Sequence, residues 1–297
     1  PRFVDERVIC TVAWWDEGVL HNITQITLTS REHLNELTGQ LTATTWAGEM
    51  EGWLTGKTDW HLVVSNKDGE EGLPNDTIQG TFTGTAGQSF AAFLARGITM
   101  YVDGDANDYF CKGLSGGKVI IRPPAASTFV PEDNILVGNV VLYGATSGQA
   151  FIRGIAGERF CVRNSGVVAV VEGVGDHACE YMTGGEVYIF GPVGKNLGAG
   201  MSGGLAYILV ENENINHQIN HDMVLVEKVN TKEIEKIKFS LNEHYVLTKS
   251  KKAKLILDGF DDFVPRFIKI VPKELFKLLE SKGIDIDDFD FVNPKLN

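Results

Sequence analysis

The chain has 297 residues, of which 43% are hydrophobic, 22% are charged and 33 are glycine. Its formal net charge of -12 argues against nucleic acid or an anionic membrane as a partner, because both bind clustered Lys and Arg. The sequence has no apolar run of the roughly 18 residues that a transmembrane helix needs.

The cysteines lie far apart, at Cys10, Cys111, Cys161 and Cys179. Without a close pair they indicate reduced thiols and a cytoplasmic protein. No secretory signal begins the chain, and Pro1 stands where an initiator Met is expected. This start indicates a fragment or a processed chain.

Residues 1–72 contain all five tryptophans and are predicted to form a mixed α+β segment. Trp46, Trp53 and Trp60 are spaced by seven, which suits one helix face. Interspersed glycines weaken a helix by about 1 kcal/mol each relative to Ala, so pairing of aromatic strands fits the same pattern.

Residues 73–210 are rich in glycine, and similar segments recur along them. The Gly-Gly pairs that end at Gly185 and Gly204 lie 19 residues apart, and each precedes a short apolar run. A repeat this short is one coil of a solenoid, and it buries its apolar face only when coils stack. Short apolar runs such as Asn139–Tyr143 and Phe160–Val162 are typical of strands, and short strands joined by tight turns predict a mainly β fold, a parallel β-helix. One stretch, Thr85–Gly97, has spacing that also fits a short helix. The glycines expected at structural turns are Gly116, Gly117, Gly148, Gly166, Gly184, Gly185, Gly203 and Gly204.

Residues 211–297 lose glycine and gain lysine. Their apolar spacing predicts helices over Thr231–Leu247, Ser250–Leu257 and Pro272–Leu279. An open solenoid end exposes unpaired strand edges, so we expect this helical segment to cap the β-helix.

Two segments match the dinucleotide fingerprint Gly-x-Gly-x-x-Gly/Ala, at Gly173–Ala178 and Gly198–Gly203. The fingerprint holds a pyrophosphate only where a helix begins at once. A glycine turn closely follows the first match and a strand follows the second, so the sequence disfavours a cofactor site at either one.

Ser115 and Ser202 each occupy a Gly-x-Ser-x-Gly pattern, which is typical of a nucleophile elbow. Because the pattern repeats, we expect a repeated corner whose hydroxyl bonds turn backbone. The loop at Asp103–Asp108 starts like a calcium loop but lacks its glycine and its glutamate. For His177 we expect a local hydrogen bond. No catalytic, cofactor-binding or metal-binding residue is therefore predicted.

Charged residues interrupt the apolar stretch at Glu158, Arg159, Arg163, Asp176 and Glu180. Alternation along the chain directs Arg159 and Arg163 to the same face. They form either a solvated surface or a patch that docks another domain.

Several segments closely resemble the C-terminal GXGXG domain of the glutamate synthase large subunit. They include Lys112-Gly-Leu-Ser-Gly-Gly, Ala156-Gly-Glu-Arg-Phe-Cys-Val-Arg-Asn-Ser-Gly and Cys179-Glu-Tyr-Met-Thr-Gly-Gly. The resemblance runs densely from about residue 73 to 209 and more loosely to about Pro272. It implies a right-handed parallel β-helix.

The resemblance also implies a non-catalytic scaffold within an oxidoreductase that makes glutamate from glutamine and 2-oxoglutarate. Amidotransferase and FMN-binding domains would be its partners, and FMN and an iron–sulfur cluster would lie in those domains rather than in this chain. A related domain occurs in a subunit of formylmethanofuran dehydrogenase.

Residues 1–70 do not resemble the stretch that leads into this domain in glutamate synthases. The alternative is therefore a β-helix scaffold fused to an N-terminal ligand-binding or catalytic module. Its candidate residues are Asp16, Glu17, His21, His33, Asp59 and His61.

Overall fold

The computed structural model describes residues 75–211, 215–284 and 289–292, together with the backbone at 2–4, 7–16 and 19–28. Within these residues the fold is mainly β, with one sheet of 13 strands and helices toward the C-terminus. The spaced tryptophans Trp46, Trp53 and Trp60 lie outside the described residues, as do Glu17, His33, Asp59 and His61.

Three N-terminal strands form an antiparallel meander: β1 (Arg2–Val4), β2 (Arg7–Asp16) and β3 (Val19–Leu28). Strand β3 pairs antiparallel with the first solenoid strand, β4 (Ile78–Ala86). The described part of the N-terminal segment is therefore β, and its helical part stays a prediction.

The predicted parallel β-helix is confirmed. After β4 the chain forms β5 (Ile98–Ala106), β6 (Ser115–Arg122) and the short side strand β7 (Ile135–Val137). It continues with β8 (Ser147–Ala156), β9 (Ser165–Val174), β10 (Thr183–Ile189) and β11 (Gly203–Leu209). Leaving β7 aside, each solenoid strand pairs in parallel with the next, so these strands stack as successive coils.

Aliphatic side chains stack inside the solenoid at equivalent positions of successive coils. Register pairing links one buried residue per coil, from Val102 through Ile121, Ile152, Val171 and Ile189 to Ile208. The residue just before each of these faces the other side of its strand, because side chains alternate along a strand. From β6 onward these outer positions are buried under the C-terminal segment or packed against it.

Two apolar runs predicted as strands lie in corner turns instead. They are Asn139–Tyr143 and Phe160–Val162, where the backbone alternates between right- and left-handed conformations. Thr85–Gly97 is no helix either, since it ends β4 and then turns into β5. Apolar content alone does not separate a strand from a corner whose alternate residues also point inward.

The three predicted C-terminal helices are present as α1 (Thr231–Thr248), α2 (Lys251–Asp258) and α4 (Lys273–Ser281), with a short α3 (Phe260–Phe263) between them. At the start of α1, the Asn230 side chain accepts from the backbone N–H of Glu233, whose carboxylate accepts from that of Asn230. This capping box fixes where the helix begins.

Two strands of the C-terminal segment were not predicted, β12 (Val224–Lys228) and β13 (Phe267–Pro272). Strand β13 pairs antiparallel with β11, and β12 pairs with β13. The end of the solenoid is thus closed by hydrogen-bonded strands as well as covered by helices. No helix among the described residues is long and apolar enough to cross a membrane.

Candidate docking surface on the corner turns

The stacked corner turns of the solenoid share one unusual backbone pattern, in which every second residue is left-handed. In one turn these residues are Arg159, Cys161 and Arg163, with φ of 62°, 57° and 56°. A non-glycine residue in this region costs roughly 1–2 kcal/mol. Hydrogen bonds between coils offset the cost: Arg159 N–H donates to Asp176 O at 2.8 Å and Arg163 N–H to Glu180 O at 2.9 Å.

The same alternation sorts the side chains. Cys161, in the middle of its turn, is fully buried, whereas Arg159 and Arg163 on either side of it are exposed. The next coil repeats the arrangement with His177, Cys179 and Tyr181. The corners therefore present a ridge to solvent, to which the first and third left-handed residues contribute side chains wherever they are not glycine. We call the exposed side of residues 88–93, 108–113, 139–144, 158–163, 176–181 and 195–200 the turn ridge.

Asp and Asn side chains at the edge of this ridge hold neighbouring coils together. The Oδ1 atom of Asp108 accepts from Asn139 N–H at 2.8 Å, and that of Asn139 accepts from Glu158 N–H at 2.8 Å. The Oδ1 atom of Asp176 accepts from Lys195 N–H at 2.7 Å. One candidate docking residue, Asp176, is thus engaged within the solenoid.

The structure brings the five charged candidates onto two adjacent corner turns. Glu158, Arg159 and Arg163 are exposed, whereas Asp176 and Glu180 are half-buried. The Oε1 atom of Glu180 lies 3.3 Å from His177 Nδ1, which confirms the expected local hydrogen bond of that histidine. Acidic and basic groups therefore lie together on this part of the turn ridge, with both arginines on one turn.

Sequence reasoning missed the aromatic side chains on the same ridge. Phe93 and Tyr181 are 58% and 55% exposed, and each ring covers a glycine of the next coil, Gly113 or Gly200. Aligning the coils residue by residue would have shown this aromatic-over-glycine pairing. Aromatic and Arg side chains are enriched at protein interfaces relative to the rest of the surface.

The eight glycines expected at turns lie within the first three residues of strands, where the chain leaves a corner. They are Gly116, Gly117, Gly148, Gly166, Gly184, Gly185, Gly203 and Gly204. At Gly148, φ is +107° and an added Cβ would overlap the carbonyl oxygen of Gly117 in the adjacent coil. Both the backbone angle and the close stacking favour glycine there.

The motifs that mimic active sites are parts of the repeat. Ser115 Oγ donates to the carbonyl oxygen of Gly113 at 2.7 Å, as expected for a turn hydroxyl. Neither fingerprint leads into a helix, since turns follow the first and β11 follows the second. Among the described residues, no three His, Cys, Asp or Glu side chains lie together in a way that could hold a metal ion.

The cysteines of the corners belong to the core. Cys111, Cys161 and Cys179 are free thiols with no exposed surface. Burial raises the pKa of Cys179 to about 12 and the pKa of Cys161 well above its usual range, the latter helped by the neighbouring Cys179. Since the thiolate is the reactive form, these cysteines are poor nucleophiles in the folded protein.

Residues 57–273 match the family model described as GXGXG motif. The chain is 53% identical over 220 residues to the glutamate synthase [NADPH] large chain of Bacillus subtilis, a match that covers 73% of this chain and 14% of that protein. It is 52% identical over 221 residues to the glutamate synthase [NADH] of Schizosaccharomyces pombe, covering 74% of this chain and 10% of that protein.

A third relative is the ferredoxin-dependent glutamate synthase of Antithamnion sp., with 49% identity over 199 residues, 67% of this chain and 13% of that protein. The matched part of the chain thus spans between a tenth and a seventh of the length of these curated relatives.

Proposed function

The chain belongs to the GXGXG motif family and is homologous to part of glutamate synthase large chains, and we propose that it acts as the rigid scaffold of such an enzyme. In this role it holds an amidotransferase domain and an FMN-binding domain in fixed relative positions. The reaction, glutamine and 2-oxoglutarate to glutamate, takes place in those partners, which also hold the FMN and the iron–sulfur cluster. The cytoplasm is the proposed location, which suits the free thiols.

The observation that carries the proposal is the one continuous sheet. Seven parallel coils are bonded to one another, an N-terminal meander extends the sheet at one end, and β12 and β13 close it at the other. Tightly packed cores and continuous hydrogen-bond ladders deform little. A body of this kind keeps attached domains at a constant separation.

The turn ridge supplies a surface to which partners bind under this proposal. Arg159 and Arg163 offer charged groups that no ion pair engages among the described residues. Tyr181 lies on the next coil and adds an exposed ring. Aromatic and Arg side chains are the residues that most often dominate binding energy at interfaces.

The proposal is tested with the intact chain and separately produced amidotransferase and FMN-domain portions of a related large chain. We expect co-elution on gel filtration and glutamate synthesis that rises when all three are combined. The double variant Arg159→Glu/Arg163→Glu should weaken association by about tenfold or more, because it reverses two interface charges.

The matched control is Lys277→Glu, which reverses an exposed charge on α4, away from the turn ridge. It should bind as the unaltered chain does. If the folded chain, verified by circular dichroism, associates with neither portion, the scaffold role is wrong. If association survives the double variant, the docking surface lies elsewhere.

A further inference from the structure

One coil of the solenoid is longer than the others, and its extra residues form a wall of a cavity. Hydrogen bonds join equivalent positions 19 residues apart at Asn139–Glu158 and Asp176–Lys195, but 31 apart at Asp108–Asn139. The additional 12 residues, 31 minus 19, lie between β6 and β7. Insertions in a repeat protein map to loops on one face, and that face often binds a ligand.

This insertion faces the junction of α1 and α2 across a cavity of about 430 Å³. Small-molecule sites typically measure about 300–1,000 Å³. Part of the cavity wall is apolar, including Pro123, Pro124, Phe129 and Val130. The opposite wall is basic, with Lys249 and Lys251 from the helix junction and Arg153 from β8.

The charge in the cavity is opposite to that of the whole chain. Three cations and one carboxylate, Glu132, line it, which leaves two positive charges in a chain of net charge -12. Within the described part of the chain, none of these four groups has an ion-pair partner within 4 Å. Among the described residues, Arg153 donates to the carbonyl oxygen of Thr248, at 3.4 Å. Uncompensated like charges around one cavity repel each other and attract an anion.

Both lysines occupy positions that lower the stability of the protein. Lys249 is the C-cap of α1 in left-handed conformation, with φ 59° and ψ 35°, where glycine is favoured. Lys251 is the first residue of α2, where the helix dipole disfavours a positive charge. Both lysines are exposed at the edge of the cavity. The strained backbone of Lys249 beside this cavity points to a function that requires its side chain.

We propose that this cavity binds a small molecule that carries an oxyanion group, a phosphate or a pair of carboxylates, beside an apolar portion. The planar guanidinium of Arg153 fits two oxygens of such a group at once. Lys249 and Lys251 add point charges, and Phe129 with Pro123 and Pro124 covers the apolar portion. The bound anion ties the insertion to the helix junction. This inference is independent of the turn ridge and of the scaffold role.

The test uses the full chain, titrated by calorimetry with inorganic phosphate and, separately, with glutarate at constant ionic strength. We expect saturable binding of at least one probe and a higher melting temperature in its presence. The tighter probe identifies the group that the site takes, phosphate or paired carboxylates. The variant Arg153→Gln should weaken binding about tenfold or more, because a charge-assisted hydrogen bond is lost.

A second variant separates binding from folding. Lys249→Gly removes a cation but relieves the left-handed backbone, so it should weaken the tighter probe about tenfold while raising the melting temperature of the ligand-free chain by about 2–4 °C. The control Lys277→Gln removes one exposed charge elsewhere and should bind as the unaltered chain does.

Two results overturn the proposal. One is the absence of saturable binding of either probe at concentrations up to about 10 mM, which corresponds to very weak affinity. The other is an equal loss of binding in Lys277→Gln and in the cavity variants, which would assign the effect to net charge rather than to a built site.

Discussion

Gly184 lies at one of the positions where the backbones of adjacent coils approach closely. A Cβ built there would overlap the carbonyl oxygen of Ser165, one coil away. Gly203 meets the carbonyl oxygen of Thr183 in the same way, and Gly166 meets that of Thr146. At these three positions, each just after a Ser or Thr, the residue type is therefore restricted to glycine by the backbone of the adjacent coil, rather than by its own neighbours in sequence.

We expect Gly184→Ala to lower the free energy of unfolding by about 2–4 kcal/mol, since the added carbon forces rigid backbone apart. Urea unfolding followed by circular dichroism measures the change. Gly87→Ala is the matched control, because a Cβ at Gly87 meets nothing within 4 Å and its φ is not left-handed. It should be neutral or stabilising by up to about 1 kcal/mol. Equal effects of the two substitutions would contradict this account.

The repeat could be predicted from the sequence, because close contact between stacked coils requires glycine at fixed spacing. The left-handed residues at Arg159, Cys161 and Arg163 were not, because nothing in their chemistry distinguishes them from strand residues. Their conformation is stabilised by hydrogen bonds to coils above and below. Only the stacked structure supplies those partners.

At the scale of elements, one buried carboxylate of the solenoid contacts both helices at the junction of α1 and α2. Glu172 extends from β9 and is 1% exposed. Its Oε1 accepts from His244 Nε2 of α1 at 3.2 Å and from the hydroxyl of Ser250, which also caps α2. The Ser250 hydroxyl donates to this oxygen, and His244 donates to it in the tautomer that carries its proton on Nε2. One solenoid side chain thus positions two helices.

Replacing Glu172 by Ala leaves two buried donors without an acceptor, so we expect a loss of about 3 kcal/mol in the free energy of unfolding. Hydrogen exchange should rise first in α1 and α2, while the core strands β8 to β10 stay protected. The control is Lys254→Ala, which removes an exposed pair with Asp258 on α2. It should leave exchange unchanged. Uniform faster exchange across the solenoid would argue against a local fastening role.

The helices of this segment were predictable from their own sequence, whereas their attachment was not. Asn230 and Glu233 have the residue types and spacing of a capping box, and the apolar spacing predicted the C-terminal end of α1 to within one residue. The Glu172–His244 contact joins residues 72 apart in sequence, and no local pattern announces such a pair. Strand β13 could not be predicted for a similar reason, since its partner β11 precedes it by about 60 residues.

In the molecule as a whole, β13 pairs with the last solenoid strand and covers that end of the solenoid. All seven residues of β11 are buried, and β13 occupies the edge that this strand would otherwise expose. The outermost strand is then β12, a five-residue strand that ends in Glu227 and Lys228. Short, charged edge strands resist edge-to-edge association.

A chain that ends after Arg266 lacks β13 and α4, so we expect it to self-associate through the backbone of β11. Light scattering coupled to gel filtration would show a larger mass than for the intact chain at equal concentration. A chain that ends after Val292 keeps every described contact and should match the intact chain. A monomeric, soluble chain ending after Arg266 would show that the helices alone protect the edge.

Parallel strands stacked one coil at a time have a geometric consequence for any enzyme that contains this body. From β4 to β11 the solenoid climbs six strand spacings, or roughly 29 Å at about 4.8 Å each. A loop inserted within a coil, such as the one after β6, changes the width of the solenoid and leaves its length unchanged. The length of the solenoid therefore changes only by gain or loss of a whole coil. The distance between domains attached at its two ends can thus evolve only in discrete steps of one strand spacing.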